Sequence, residues 1–379
     1  MAKKKQSDGQ KLAQAAAKQI KKSKHPLLVV IIILAIVALA ALGYYIYVKK
    51  FKPQGPAAVG ELEIHFLNLN NSHAGDYIYI RAGENDILVD AGSTRGSAAA
   101  ICDYVDDFVT DKKLEFVIAT HADEDHIAGF AGSGTVPGVF DEFECQTIID
   151  FPRTNKTTDV YNDYVSKRSA EVENGAKHFT ALECYNNVDQ AKRTYQLANS
   201  ISLEILYNYY YEHNSSDENN YSVCFRIIHG SEQFLFTGDL EKEGEEYLVE
   251  NNNLSKVKLF KAGHHGSPTS SNDVLLDIIR PEICVVPCVA GTDEYAEIAQ
   301  NQFPSQAFIN RISKHTSQVY VPLVVSDNKN GFEIMCGTIV ICSNAGNVDV
   351  RCSNQKIMLK DSEWFLANRQ MPSQWLSAS

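Results

Sequence analysis

The sequence predicts an α/β domain whose strands end in metal-binding side chains, carried behind one membrane-spanning helix. Three observations predict it. The run Leu114-Glu115-Phe116-Val117-Ile118-Ala119 is apolar, aromatic and β-branched, without Gly or Pro, and reads as a buried strand. It leads into Thr120-His121-Ala122-Asp123-Glu124-Asp125-His126, where four good ligand side chains fall within six residues. Three more apolar runs end the same way: Ile87-Leu88-Val89-Asp90, Phe234-Leu235-Phe236 before Thr237-Gly238-Asp239, and Val257–Ala262 before Gly263-His264-His265-Gly266-Ser267. Alone, the central stretch also fits a polar surface loop. Four strands that each deliver His or Asp at one end do not, and α/β scaffolds place reactive groups at strand ends. Imidazole and carboxylate together suit zinc, manganese or iron rather than calcium.

Charge is split along the 379 residues. The first 60 hold eleven Lys and one Asp, so the net charge of −12 leaves −22 for the remainder. Residues 1–26 read as a basic cytoplasmic tail. Leu27–Val48 is 22 residues without a charge, closed by Tyr44, Tyr45, Tyr47 and Lys49-Lys50-Phe51-Lys52, which suits a transmembrane helix with an aromatic belt. Ala38-Leu39-Ala40 would serve a signal peptidase, but the apolar run continues past it, which favours an uncleaved anchor. Eight Lys before the span and three after it put the N-terminus in the cytoplasm and the domain outside. Residues 49–60, with Pro53, Gly55 and Pro56, form a linker; 61–360 make the globular domain and 361–379 a tail.

Within the domain, Glu63–Leu67, Tyr77–Ile80 and Ile87–Asp90 read as a meander, followed by a helix over Ser97–Asp107. From Ala131 to Asn219 the pattern thins to a strand at Thr147–Phe151, a polar helix at Asp159–Ser169 and a Tyr-rich run at Leu206–Tyr211. Cys224–Ile228 is a strand, Asn272–Ile279 a helix, Glu282–Val286 a strand and Pro304–His315 a helix. Phe332–Cys342 and Val348–Cys352 read as a closing hairpin. The nine cysteines form no Cys-x-x-Cys pair; Cys224, Cys284, Cys336 and Cys342 sit in apolar settings as small hydrophobes.

The order His-x-Asp-x-Asp-His, Thr-Gly-Asp, Gly-His-His-Gly-Ser resembles the metallo-β-lactamase-fold hydrolases. Within them it is similar to the extracytoplasmic hydrolase domain of the competence DNA-uptake (ComEC-like) group, over residues 61–350. The resemblance implies a four-layer αββα sandwich and two divalent metal ions, zinc ahead of manganese or iron. Asp125, His126 and the His264/His265 pair would form one site, and Asp239 would bridge to a second made by His121 and Asp123. His264, first off its strand, is the preferred ligand of the pair; Asp125 and His265 are the catalytic candidates. Asp76, Asp90, Asn219, Ser222 and Lys261 are expected behind the ligands. Ions roughly 3.5–4 Å apart activate water for attack on phosphorus or a carbonyl carbon.

The chain also departs from that group. Only Gly75-Asp76 matches its Gly-x-Gly-Asp turn, Asn70-Asn71-Ser72-His73 does not, and Phe303-Pro304 replaces its His-Pro. His178 and His213 lack the context of the usual further His ligand. The function expected is a membrane-anchored, metal-dependent hydrolase of phosphodiesters, the substrate small or surface-linked. An extracytoplasmic nuclease linked to DNA uptake and a non-catalytic metal-binding or sensing module are the alternatives. Nucleic acid is disfavoured by the acidic domain, which lacks the basic surface that releases counterions from phosphates. No protein partner is inferred.

Overall fold

A computed structural model of the chain describes residues 61–326, 331–344 and 346–376. β1 (Leu62–Phe66), β2 (Ile78–Ala82) and β3 (Asn85–Val89) form the antiparallel meander. β4 (Lys113–Ile118), β5 (Glu144–Asp150) and β6 (Lys177–Thr180) continue it in parallel. A second sheet runs through β7 (Thr194–Ala198), β8 (Ile201–Ile205), β9 (Phe225–His229) and β10 (Glu232–Phe236), then turns parallel at β11 (Leu259–Lys261) and β12 (Ile283–Val285). β13 (Val289–Ala290) leaves for a small third sheet, while β14 (Val319–Tyr320) closes the second. β15 (Leu323–Val325) and β16 (Phe332–Ile334) complete the third, and the hairpin β17 (Ile339–Asn344) and β18 (Asn347–Cys352) joins the first sheet beside β1.

The two large sheets, of eight and seven strands, meet through their side chains. Phe116 of β4 stands edge-on to Tyr195 of β7, with ring centroids 5.1 Å apart, and His229 of β9 shares a 2.9 Å hydrogen bond with Ser343 of β17. Strands such as β2 are buried along their whole length, which is why they read as apolar runs rather than alternating ones. The buried exception is Arg81, whose guanidinium donates to Glu63 at 3.1 Å. The helix α1 (Ser97–Asp106) buries Ile101 and Val105; α2 (Glu124–Ala131) starts inside the central motif.

Several expectations change. Phe332–Cys342 is not one strand: its ends lie in different sheets as β16 and β17, because Gly337 turns the chain at φ 71° between them. The third sheet was not foreseen. The expected tail is packed as far as residue 376, with Phe365 and Trp375 buried and their rings 5.5 Å apart. The membrane placement is also corrected: no helix among the described residues is long and apolar enough to cross a bilayer, and Leu27–Val48 lies outside the described residues.

One buried carboxylate ties helix α3 (Lys242–Asn251) to the site. Glu245 accepts from the Ser271 backbone N–H at 2.5 Å and from the backbone and side-chain amides of Asn272 at 2.8 and 2.9 Å. Ser271 in turn accepts from the Gly263 N–H at 3.0 Å, so Glu245 seats the segment carrying His264 and His265. Burial pushes the Glu245 pKa up to about 7, against the hydrogen bonds from Asn272 and Ser271. A raised carboxyl binds a proton in the folded state that the unfolded chain has released. Stability should therefore fall as pH rises from the ordinary 4.5 to about 7, by about 3 kcal/mol in total. Urea unfolding at pH 5 and pH 7.5 checks this: Glu245→Gln should flatten the slope, and an unchanged slope would assign it to another group.

Candidate metal centre

The centre is assembled where the ends of β3, β4, β10 and β11 meet. The Asp90 carboxylate, fully buried, accepts from the Thr120 N–H and the Thr120 hydroxyl, each at 2.7 Å, and from His126 Nδ1 at 2.8 Å. Backbone bonds from Ala91 N–H to His126 O at 2.7 Å and from Gly129 N–H to Ala91 O at 2.7 Å clamp the two turns together. Gly92 is obligatory in this contact, since a Cβ there would lie 1.5 Å from the Asp125 carbonyl oxygen. On the other sheet, Gly238 at φ 53° lets Asp239 turn inward, and the Ser222 hydroxyl accepts from the Asp239 N–H at 3.0 Å.

Three buried imidazoles face one another, each with Nδ1 already engaged. His126 Nδ1 donates to Asp90, and His265 Nδ1 donates to the Pro287 carbonyl at 2.8 Å. His121 Nδ1 meets the Thr120 hydroxyl at 3.1 Å; that hydroxyl gives its proton to Asp90 and so accepts here. Each Nε2 is thereby left as the acceptor, the tautomer a metal needs. His121 Nε2 and His265 Nε2 are buried without a hydrogen-bond partner. Carboxylates close the set. Asp239 Oδ2 is 3.2 Å from both His126 Nε2 and His265 Nε2; Asp125 Oδ2 is 3.5 Å from His265 Nε2, and Asp123 Oδ2 is 3.5 Å from His121 Nε2. The groups His121–His126–Asp239 and Asp125–His126–His265 each have the spacing to hold an ion.

The histidine pair corrects the expectation drawn from chain order. His264 and His265 sit in consecutive left-handed conformations, φ 44° and 52°, which swing the second ring inward and the first outward. His265 is fully buried beside Asp76, Asp125 and Asp239. His264 instead gives Nδ1 to Glu241 Oε1 at 2.8 Å and borders the opening, with Asn219 Nδ2 3.4 Å from the same nitrogen. Phe303 packs against both rings.

Carboxylates and cationic side chains set one another's charge state in the centre. Burial alone would raise the Asp239 carboxyl, but His265, Lys261 and His126 hold it well below the usual range. Burial opposes a charge on His265, yet Asp239 and Asp76 push its pKa up to about 10. Neutral imidazoles and a divalent ion would satisfy the same field. Lys261, fully buried, touches Asp76 and donates to Asp239 Oδ1 at 3.0 Å and Gly238 O at 2.9 Å, so one Asp239 oxygen is already neutralised from behind.

Outside the ligands a cavity of about 590 Å³ is lined by Asp123, Asp125, Asn219, His264, Glu294 and Tyr295, among others. The Tyr295 hydroxyl donates to Asp125 Oδ2 at 3.0 Å, and Glu294 accepts from the Ala74 N–H at 2.9 Å and pairs with His73, which lies at the rim rather than among the ligands. Lys156 pairs with Asp123. Sequence reasoning missed Lys156, Glu241 and Tyr295. Glu241 had a signal, lying two residues beyond Asp239; the others lie in loops without periodicity. His178 pairs with Asp150 and His213 stacks on Tyr209, so neither joins the centre.

The chain is similar to several known proteins. The sequence model of the Metallo-beta-lactamase superfamily matches residues 72–133. Competence protein ComA of Neisseria gonorrhoeae is 26% identical over 276 residues, 72% of this chain and 32% of that protein. ComE operon protein 3 of Bacillus subtilis (strain 168) is 22% identical over 211 residues, 55% of this chain and 23% of its own length. The chain thus spans about a third or less of these relatives' length. The metallo-β-lactamase fold protein YhfI from Bacillus subtilis aligns at a TM-score of 0.39 and 12% identity, covering 69% of this chain and 96% of that one. The chain has a mixed α/β metallo-β-lactamase fold with several sheets and homology to competence proteins, and that fold implies divalent metal binding.

Metal content after dialysis separates the two histidines. His265→Ala should lose bound metal, whereas His264→Ala should retain it; the reverse outcome would restore the ligand preferred from sequence. Asp90→Asn, which weakens the hold on His126, should lower metal affinity about 10- to 100-fold.

Proposed function

We propose that the chain is a metal-dependent hydrolase of phosphodiesters, with Asp125, His126, His265 and Asp239 holding one divalent ion and His121, Asp123 and Asp239 a second, zinc ahead of manganese or iron. The observation that carries it is the set of three buried imidazoles, each with Nδ1 engaged and Nε2 turned toward shared carboxylates. Members of the matched superfamily are usually metal-dependent hydrolases. Bound divalent ions supply a Lewis acid for the phosphoryl oxygen and acidify water.

The chain's own residues then divide the work. Lys261 offsets the charge of Asp239 from behind, helping to keep the buried carboxylate ionised. Burial and the Asp125 charge push the Tyr295 hydroxyl well above its ordinary pKa, so it stays protonated and keeps donating to Asp125 Oδ2, which orients that carboxylate at the opening. His264, fixed by Glu241, takes the substrate-contact role that sequence order had given to His265.

The carboxylates of Asp123, Glu124, Asp125 and Glu294 around the opening favour a small ester, free or surface-linked, over a long polyanion. The homology to competence proteins favours the second reading, a nuclease acting on DNA. Hydrolysis of bis(p-nitrophenyl) phosphate, a phosphocholine ester and duplex DNA by the full chain at about 0.15 M salt, where exposed charges are screened beyond roughly 8 Å, tells them apart. The small esters should be cleaved and DNA spared; efficient metal-dependent degradation of DNA would favour the nuclease. Asp239→Ala should lose at least about 100-fold in turnover, in line with loss of an electrostatic anchor. Turnover near wild type in that variant would end the two-ion reading. Metal bound without turnover of any ester would leave a binding module.

A further inference from the structure

Far along the chain from the metal centre, two cysteines meet. Cys336 follows β16 and is fully buried; Cys352 ends β18 and is partly exposed. Cys352 pairs across the β17–β18 hairpin with Ile339, three residues beyond Cys336, and Cys336 Sγ lies 3.2 Å from the Ile357 carbonyl. The backbone on either side is already laced together. Asn354 N–H donates to Cys336 O at 3.0 Å, Ser353 N–H to Thr338 O at 2.9 Å, and Thr338 N–H to the Ser353 hydroxyl at 2.9 Å. These bonds hold the segments carrying the two cysteines side by side.

We propose that Cys336 and Cys352 are a disulfide-forming pair that staples the small third sheet to the hairpin edge of the eight-stranded one. The oxidant is a small-molecule disulfide. Cys352, the exposed member, loses its proton to water and attacks one sulfur of that disulfide, forming a mixed disulfide and releasing one small thiolate. Cys336, deprotonated in turn, attacks the Cys352 sulfur, forms the protein disulfide and expels the second small thiolate; both thiolates take up the released protons. Two protein thiols are oxidised and one external disulfide is reduced.

The link closes the chain between the end of β16 and the end of β18. The third sheet also contains β13, from which the chain passes to Glu294 and Tyr295 over the cavity, so the staple fixes the sheet that feeds the rim of the metal centre.

The test uses the full chain, fully reduced and then treated with oxidised glutathione. The thiol count under denaturing conditions should fall from nine to seven, and peptide mapping should find Cys336 joined to Cys352. The melting temperature should rise by about 5–10 °C, as expected for a loop of this size, and return to its starting value with dithiothreitol. Cys352→Ser, a near-isosteric change, should show neither the link nor the rise. A count that stays at nine, a glutathione adduct that persists on Cys352, or a link between other cysteines would overturn the proposal.

Discussion

A single carboxylate holds this structure to its purpose. Asp90 takes three donors from the next strand end, two of them from Thr120 and one from His126, in a position with no access to water. Bonds to an ionised acceptor in such surroundings are short and strong. They do three things together: they lock the ends of β3 and β4, fix the His126 tautomer, and orient the Thr120 hydroxyl so that it must accept from His121. The φ of 56° at Asp90 and the bare Gly92 behind it are the backbone conditions for that grip.

The strand-to-ligand pattern was legible because it is local. An apolar run followed at once by His or Asp states both the element and what stands at its end, and β3, β4, β10 and β11 all carry it. The β17–β18 hairpin was legible from its turn residues. The choice between His264 and His265 was not, because two successive left-handed residues reverse which ring faces inward and nothing in Gly-His-His-Gly announces that reversal. The third sheet escaped for a different reason: its strands are two or three residues long, too short for any period. Tyr295 and Lys156 are delivered by loops, where only tertiary structure reports proximity.

The centre combines opposite electrostatic demands. Its interior gathers Asp76, Asp125 and Asp239, and Lys261 supplies a permanent charge from behind Asp239 and Asp76. Its rim is acidic as well, apart from Lys156 beside Asp123. An interior that draws cations and a rim that repels polyanions are compatible when the substrate carries one phosphoryl group. They conflict when it carries many.

The two left-handed histidines also have a consequence for how the sequence can change. Neither is glycine, so each holds a backbone conformation disfavoured by roughly 1–2 kcal/mol. Glycine at 264 would relieve that cost and leave every ligand in place. A selection for heat resistance alone would therefore enrich it, discarding the ring that Glu241 orients at the opening. At this turn, robustness and chemistry pull the sequence in opposite directions, and the histidine records which of them has prevailed.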